Sequence, residues 1–320
     1  MNRANSKYFE LWENVLSEVR RKLEEKKDTE ETVILAEDLL HIAEEFFHYD
    51  KGKQYTASFL LAKAYAQNGN DKPAEVFFDK SLELARELYG EESEQAAEVL
   101  REFANLRLKM GKTNEGILMM VQAANILKKL GKNQGTDYAL LLQKIGDFYI
   151  KSKQYDYAER LLRNASIIFS KNPGKNAPAA LSALKSLGDL YFKKRDFAKA
   201  KQVYEKFVAT ANRIPDRDEV QLGEVMTNLG VIYMFTRQLD KAEQHLIEAL
   251  TLFEMNLGTE DPKEISPLQN LGNLYIIQGK NKYAIPLYKR AKAIAEKYYS
   301  PSHPITLKLK SQIEKYLSEE

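Results

Sequence analysis

Few side chains in the sequence are suited to acid–base or metal chemistry, and they are scattered along the chain. There are four histidines and no cysteine, which excludes thiolate metal sites, cysteine nucleophiles and disulfides. His41 and His48 lie seven residues apart with Glu44 and Glu45 between them, a spacing that matches no metal or catalytic motif. We therefore interpret the histidines as residues of helix surfaces or of the connections between helices.

Motifs of catalysis and cofactor binding are absent from the sequence. It contains no HExxH, no GxSxG and no phosphate-binding P-loop. The many Asp and Glu residues have Lys nearby, as they do on solvated helix faces. The acidic segments NRIPDRDE and GTEDP lack the twelve-residue ligand pattern of a calcium loop. The sequence thus predicts no enzyme activity, no cofactor and no metal site.

The composition is that of an ordinary globular protein. The 320 residues are 44% hydrophobic and 29% charged, with a formal net charge of +2. This balance gives no reason to expect nucleic acid or an anionic membrane as a partner. No apolar run approaches the roughly 18 residues of a membrane span, and the first residues lack the apolar region of a signal peptide. We expect a cytoplasmic protein; the alternative is an exported protein whose signal has been removed.

The elements that position the side chains are set by a repeat of 42 residues. Steps of that length back from Gly272 always reach a small residue: Gly230, Gly188, Gly146, Ala104 and Ala62. Three residues after the small one stands tyrosine in five of the six units: Tyr275, Tyr233, Tyr191, Tyr149 and Tyr65. Twelve residues after it stands alanine in five of the six: Ala284, Ala242, Ala200, Ala158 and Ala74. The units align without insertion or deletion, which chance does not explain.

Each unit predicts two amphipathic helices joined by a short turn and followed by a joint rich in helix breakers. Small residues let two antiparallel helices cross closely, so we expect the glycine of the first helix to face the alanine of the second. Leu and Tyr would fill the flanking grooves. One unit departs from the pattern with Ala104, Arg107 and Gly116. Because a glycine within a helix costs about 1 kcal/mol relative to alanine, that unit is predicted to be the least stable, or to change the pitch.

This pattern resembles the tetratricopeptide repeat, in the 42-residue variant found in kinesin light chains and nephrocystin-type proteins. The stretch LQNLGNLYIIQGKNKYAIPLYKRAKAI, residues 268–294, carries its L-G-x-L-Y and A-x-P-L-Y-x-R-A helices. The resemblance implies an all-α fold, a right-handed α-solenoid of antiparallel helix pairs. We expect one domain over residues 1–320. It would comprise a degenerate repeat at 8–49 that includes Trp12, six repeats over 50–300 and a capping helix at 303–318.

The resemblance also implies where a partner would bind. In this family the first helix of each pair lines a concave groove, and its inward positions flank the small residue. Those positions combine polar residues with a line of apolar ones, and we predict the following as partner-binding: Arg101, Asn105, Gln143, Asp147, Lys151, Lys185, Asp189, Phe192, Lys193, Met234, Phe235, Gln269, Asn273 and Ile276. The alternative is that the apolar residues among them pack against neighbouring helices.

Function follows from the fold only in outline, since one fold serves many partners. We predict a protein–protein interaction scaffold that binds a peptide or protein in the groove, with Phe192, Met234 and Phe235 as anchors. One alternative is an assembly module that self-associates through its ends or outer face. Another is the peptide-sensing part of a regulator. No nucleic acid and no membrane insertion are expected.

Overall fold

The structure is a computed structural model that describes residues 3–171 and 177–317, without the side chains of residues 3–6. Within these ranges it contains fifteen α-helices and one 3-10 helix, and no strand. The all-α fold predicted from the sequence is therefore confirmed. One of the predicted joints between repeats, SKNPGKNAP at residues 170–178, lies partly outside the described residues.

The helices form two compact units, which divide between Ile168 and Phe169. The first contains α1 Arg3–Glu25, α2 Thr29–Phe46, α3 Lys51–Asn68, α4 Asp71–Tyr89, α5 Glu94–Lys109, α6 Thr113–Lys129, α7 Thr136–Lys151 and nearly all of α8 Tyr155–Ser170. The second contains α9 Ala177–Lys193, α10 Phe197–Ala211, α11 Glu219–Phe235, α12 Leu239–Leu257, the 3-10 helix Pro262–Glu264, α13 Ile265–Ile277, α14 Asn281–Tyr298 and α15 Pro304–Leu317. That all repeats form one domain stays a prediction.

The close helix crossing is confirmed: a Cβ atom added at Gly230 would lie 3.4 Å from the carbonyl oxygen of Ala242, as expected, and a large side chain lies closer still. A Cβ atom added at Gly272 would lie 2.6 Å from Cε1 of Tyr288, and one added at Gly230 would lie 2.6 Å from Cγ of Leu246. The side chain that covers each glycine is thus the large residue sixteen positions later. The alanines of the second helices are also fully buried, and they allow that large side chain to lie flat against the first helix.

Tyr233 and Tyr275, two of the repeated tyrosines, tie their repeats to the ones before them. The hydroxyl of Tyr233 donates to Glu205 of α10 at 2.9 Å, and that of Tyr275 donates to Glu243 of α12 at 2.8 Å. Where the tyrosine is missing, the guanidinium of Arg107 forms an ion pair with a glutamate of α4 at 2.6 Å, between Nη1 of Arg107 and Oε1 of Glu75. The departure at Arg107 therefore replaces a hydrogen bond between repeats with a charged one.

Gly116, the other departure, sits at a tight contact between α5 and α6. An added Cβ would lie 2.9 Å from Cγ of Leu108 and 3.0 Å from the carbonyl oxygen of Ala104. A backbone oxygen cannot move as freely as a side chain, so alanine would push the two helices apart. Gly116 has a low helix propensity, but its small size fits the close contact between α5 and α6.

The first helix pair, α1 and α2, packs on an aromatic cluster. Trp12 is buried and its ring meets that of Phe47 edge to face, with centroids 6.1 Å apart. The ammonium group of Lys53 lies 4.7 to 4.9 Å from the ring centres of Phe9, Trp12 and Phe47. A cation over aromatic faces is attracted by their quadrupoles, so Lys53 joins the first helix pair to α3.

The turn inside each repeat requires a left-handed residue at a fixed position. Gly69, Gly111 and Gly279 have φ of 85°, 79° and 71°, and Lys153, Arg195 and Arg237 adopt 59°, 59° and 58° at the same position of other repeats. The backbone N–H of Lys153 donates to the carbonyl of Ile150 at 3.1 Å and closes the helix end. Three repeats thus place a side chain in a conformation that suits glycine.

Gly272→Ala is expected to lower the free energy of unfolding by about 1–3 kcal/mol through overpacking. The added methyl would meet the ring of Tyr288, which cannot move away because it is fully buried and its hydroxyl donates to Asn273. Urea unfolding followed by circular dichroism measures the change. Gly135→Ala is the matched control, since the nearest atom there lies 3.4 Å away. Equal stability of the two variants would contradict the assigned crossing.

Lys153→Gly is expected to raise the free energy of unfolding by about 0.5–1 kcal/mol. The left-handed conformation costs a side-chain-bearing residue about 1–2 kcal/mol, and the greater freedom of glycine in the unfolded chain offsets part of the gain. The reciprocal change Gly111→Ala should lower the free energy of unfolding by about 1 kcal/mol. No atom lies within 4 Å of the added Cβ, so a steric clash does not contribute to this change. Thermal unfolding of both variants tests the pair; two shifts of the same sign would refute it.

Candidate partner-binding surfaces

The predicted partner-binding residues lie on the first helices of the pairs, which are α5 and α7 in the first unit and α9, α11 and α13 in the second. These helices are near neighbours within each unit, and polar side chains reach from one to the next. The contacts of each side chain decide whether it is available to a partner.

In the first unit, the polar positions are largely engaged within the chain. Arg101 forms ion pairs with Glu102 of its own helix and with Asp137 of α7. The side-chain oxygen of Asn105 accepts a hydrogen bond from the ammonium of Lys144 on α7. Gln143 is buried in α7, Asp147 is half-buried, and Lys151 at the end of α7 is exposed. Arg101 and Asn105 therefore tie α5 to α7.

In the second unit, a network of charges links α9, α11 and the 3-10 helix that precedes α13. The ammonium of Lys185 on α9 lies 2.8 Å from a carboxylate oxygen of Asp189 and 3.1 Å from one of Glu224 on α11. Glu224 also pairs with Lys263, which precedes α13. Burial by itself would raise the pKa of Glu224, but the hydrogen bonds and charges of Lys263 and Lys185 outweigh it and hold that pKa below its usual value.

A second network fixes the polar positions beside the repeat crossings. Asp189 accepts from the hydroxyl of Tyr204 and, at 3.3 Å, from the side-chain amide of Asn228. The side-chain oxygen of Asn273 accepts from Tyr288 and from Gln312 of α15, each at 2.8 Å. Gln269 donates to Gln312 at 2.6 Å. Asp189, Gln269 and Asn273, which were predicted to bind a partner, thus form hydrogen bonds with neighbouring helices.

The predicted apolar residues of the second unit are exposed or half-buried. Phe235 is 67% exposed, and its ring stacks on that of Phe197 with centroids 4.9 Å apart. Phe192 meets the same Phe197 edge to face at 5.7 Å. Phe197, the first residue of α10, was not among the predicted partner-binding residues. Its signal in the sequence was an aromatic residue directly after a turn.

A groove of about 410 Å³ lies between α11 and α13 of the second unit, and we call it the unit 2 groove. It is lined by Val231, Met234, Phe235, Arg237, Asn270, Asn273 and Ile277. Met234 is half-buried and Ile277 is 45% exposed, so the apolar wall has both fixed and accessible parts. Of the remaining predicted residues, Ile276 is half-buried and Lys193, at the end of α9, is exposed.

Arg237 and Asn270 add polar groups to the unit 2 groove that sequence reasoning missed. Arg237 adopts the left-handed conformation of the turn after α11, and Asn270 lies on α13 three residues before Asn273. The sequence did contain a signal for Arg237: it occupies a position of the 42-residue repeat at which other repeats have glycine. Its guanidinium supplies the groove with a cation that is always charged.

Residues 3–171 and 177–317 bring no three His, Asp or Glu side chains together as metal ligands. His41 pairs with Glu45, and His48 lies against Tyr49. In the same ranges no helix has both the length and the apolar character needed to cross a bilayer.

Comparisons with known proteins identify the repeat. Models described as tetratricopeptide repeat match residues 60–95, 137–213 and 221–297, which together are more than half of the chain. A search of curated proteins by sequence finds no match.

Solved structures show the same fold at low sequence identity. The apo form of RapI has a TM-score of 0.70 at 15% identity, over 97% of this chain and 86% of that chain. The apo form of the quorum sensor NprR from B. thuringiensis has 0.65 at 16%, over 95% and 80%. BtubC from P. vanneervenii has 0.62 at 19%, over 72% and 92%. At such identities the likeness shows the fold alone.

Glu224→Gln is expected to lower the free energy of unfolding by about 1 kcal/mol at neutral pH, since it removes the charge that pairs with Lys185 and Lys263. The folded pKa of Glu224 is below its ordinary value of 4.5. Its contribution is therefore present above that value, and it is lost as pH falls through the folded pKa. Urea unfolding of both proteins across the acidic range measures the difference.

Glu248→Gln is the matched control, because Glu248 is exposed on α12 and a change there should have little effect at any pH. A deficit of the Glu224 variant that keeps the same size from neutral to strongly acidic pH would argue against the charge network.

Proposed function

Since this chain belongs to the tetratricopeptide repeat family, we propose that it is a non-catalytic interaction scaffold whose unit 2 groove binds an apolar segment of a peptide or protein partner. The observation that carries the proposal is the contrast between the two kinds of predicted residue. Polar ones such as Lys185, Gln269 and Asn273 are bonded within the chain, whereas the apolar Met234 and Phe235 line the unit 2 groove.

The groove offers features that a binding site for a side chain requires. Met234 and Ile277 give it apolar walls, and Phe235 is a large aromatic at its border. Aromatic residues bury much area at low entropic cost and are frequent among the residues that dominate binding energy. The side-chain amide of Asn270, on the groove wall, can bond a partner's backbone, and Arg237 can pair with a carboxylate. We expect an apolar anchor residue flanked by polar backbone contacts.

The chemistry of the groove favours this proposal over an enzyme. An enzyme needs a constellation of groups that transfer protons or attack a substrate, and the groove contains amides, a guanidinium and apolar side chains. A peptide-sensing regulator is the same proposal in a different context, since it also needs a groove for a peptide. Among proteins of this fold, NprR is described as a quorum sensor. The partner of this chain is to be identified by experiment.

Met234→Ala with Phe235→Ala is expected to weaken binding of the natural partner about tenfold or more, with helicity unchanged. The two side chains are partly or largely exposed, so their loss removes contact area from the groove with little effect on the core. Partners are recovered on the immobilised wild-type chain and identified by mass spectrometry. The affinity of each is then measured by calorimetry for wild type and variant.

The matched control is Met255→Ala, which truncates a methionine that is 78% exposed on α12. An equal loss in both variants, or none in either, would exclude the groove as the site. Recovery of the chain itself alone, with light scattering showing a mass above 36.8 kDa, would instead support self-association.

A further inference from the structure

Three aliphatic side chains recur at one repeat position on the outward sides of α2, α4 and α6. Ile34, Val76 and Leu118 lie 42 residues apart, and they are 58%, 63% and 60% exposed. In α4 this position lies two residues from the buried Ala74 and two from the buried Phe78, so its side chain points away from the core. Single exposed aliphatics are ordinary, but three in the same register are a pattern.

Contacts between the helices show that the three residues form one row. The hydroxyl of Tyr65 reaches Glu37 of α2, while its ring stacks on Phe77 of α4 at 5.8 Å. Lys80 of α4 pairs with Glu44 of α2 at 3.0 Å. These contacts place α2 beside α4.

The next pair is joined through Arg107. Its guanidinium lies 2.6 Å from Glu75 of α4 and 3.3 Å from Glu115 of α6, and Lys112 bonds Glu75 at 2.8 Å. Glu75 precedes Val76, and Glu115 lies three residues before Leu118. We call Ile34, Val76 and Leu118 the outer row.

The border of the outer row is acidic. Glu30, Asp38, Asp79 and Glu83 are exposed on α2 and α4. Burial raises the pKa of Asp79, and so do the carboxylates of Glu75 and Glu83, while Arg107 opposes them. Of the cations nearby, Arg107 and Lys112 pair with Glu75 and Lys80 pairs with Glu44, while Lys72, one turn before Val76 on α4, is exposed. The face thus combines an apolar row with more exposed carboxylates than exposed cations.

We propose that the outer row docks a cationic amphipathic helix of a partner protein. Apolar side chains of that helix would cover Ile34, Val76 and Leu118, and its Lys or Arg residues would meet the acidic border. The charge argues against a second copy of this chain, since a self-complementary contact would place carboxylates against carboxylates. The proposal is independent of the unit 2 groove.

Helix geometry makes the proposal specific. Side chains of Tyr65, Lys80 and Arg107 bridge the second helices of neighbouring repeats, so the outer row runs across α2, α4 and α6. A helix presents residues i and i+7 on one side, about 10 Å apart. A partner that crosses α2, α4 and α6 would therefore place apolar residues at i, i+7 and i+14.

The test uses a defined probe and the full chain. The probe is a fluorescent helical peptide of about 18 residues with leucine at i, i+7 and i+14 and lysines beside them. A second peptide of the same composition spaces its leucines by five. Fluorescence anisotropy should show the first binding about tenfold more tightly or better. Its affinity should fall as salt rises from about 50 to about 300 mM.

Variants of the chain locate the site. Ile34→Ser, Val76→Ser and Leu118→Ser together should weaken the first peptide about tenfold or more. Asp38→Asn, Asp79→Asn and Glu83→Gln together should weaken it and flatten the salt dependence. Ile247→Ser is the control, because Ile247 is an exposed aliphatic of α12 in the second unit. Circular dichroism checks that each variant keeps its helicity.

The outcomes separate clearly. Loss of binding in the serine triple variant, with Ile247→Ser unaffected, supports the proposal. Equal affinity of the two peptides, or equal losses in the serine triple variant and the control, overturns it. A chain that dimerises through this face, seen by sedimentation as a dimer that the serine substitutions abolish, would also overturn it.

Discussion

The close crossing of the two helices within a repeat is the constraint on which the rest of the structure depends. A glycine or alanine on the first helix leaves room for one large side chain of the second, such as Tyr288 against Gly272 or Leu246 against Gly230. Because that contact fixes the distance and register of the pair, it also fixes which residues face the neighbouring repeats and which face solvent. Every repeat must satisfy the same crossing, and this is why the spacing of 42 residues persists while the solvent-facing residues differ.

Contacts between repeats are largely polar at their borders, and they consume side chains that would otherwise serve a partner. In a repeat protein each unit contacts only its neighbours, so stability is a sum of terms within and between units. The hydrogen bonds of Tyr233 and Tyr275 and the ion pair of Arg107 contribute to the second kind of term. The charges of Lys185, Glu224 and Lys263 do the same along the first helices. The side chains that remain available to a partner are mainly apolar, whereas most of the residues predicted from the sequence are polar.

The sequence predicts the helices, their pairing and the small residues well, because these follow from periodicity and from steric limits that act within about 20 residues. It predicts the groove residues less completely. Whether Asn273 is accessible depends on Tyr288 and on Gln312, which lies one repeat away, and the side-chain conformers of all three decide the bonds. Gln143 is buried although its position in the pattern resembles that of Lys185. Spacing also did not show that the larger residue sixteen positions later, and not the alanine twelve positions later, has the side chain closest to the glycine.

Positions that the crossing leaves free show how one scaffold acquires different surfaces. The position of Ile34, Val76 and Leu118 is occupied by Arg160, Gln202 and Gln244 in the repeats that follow, although the buried alanine two residues before it is unchanged in those three. The position of Phe235 is likewise occupied by Lys109, Lys151 and Lys193 in other repeats. Since neither position contributes to the crossing, substitution there changes surface chemistry at little cost in stability. An apolar groove with a guanidinium in one unit and an aliphatic row with an acidic border in the other are therefore compatible with the same repeated core, and each can be altered without the other.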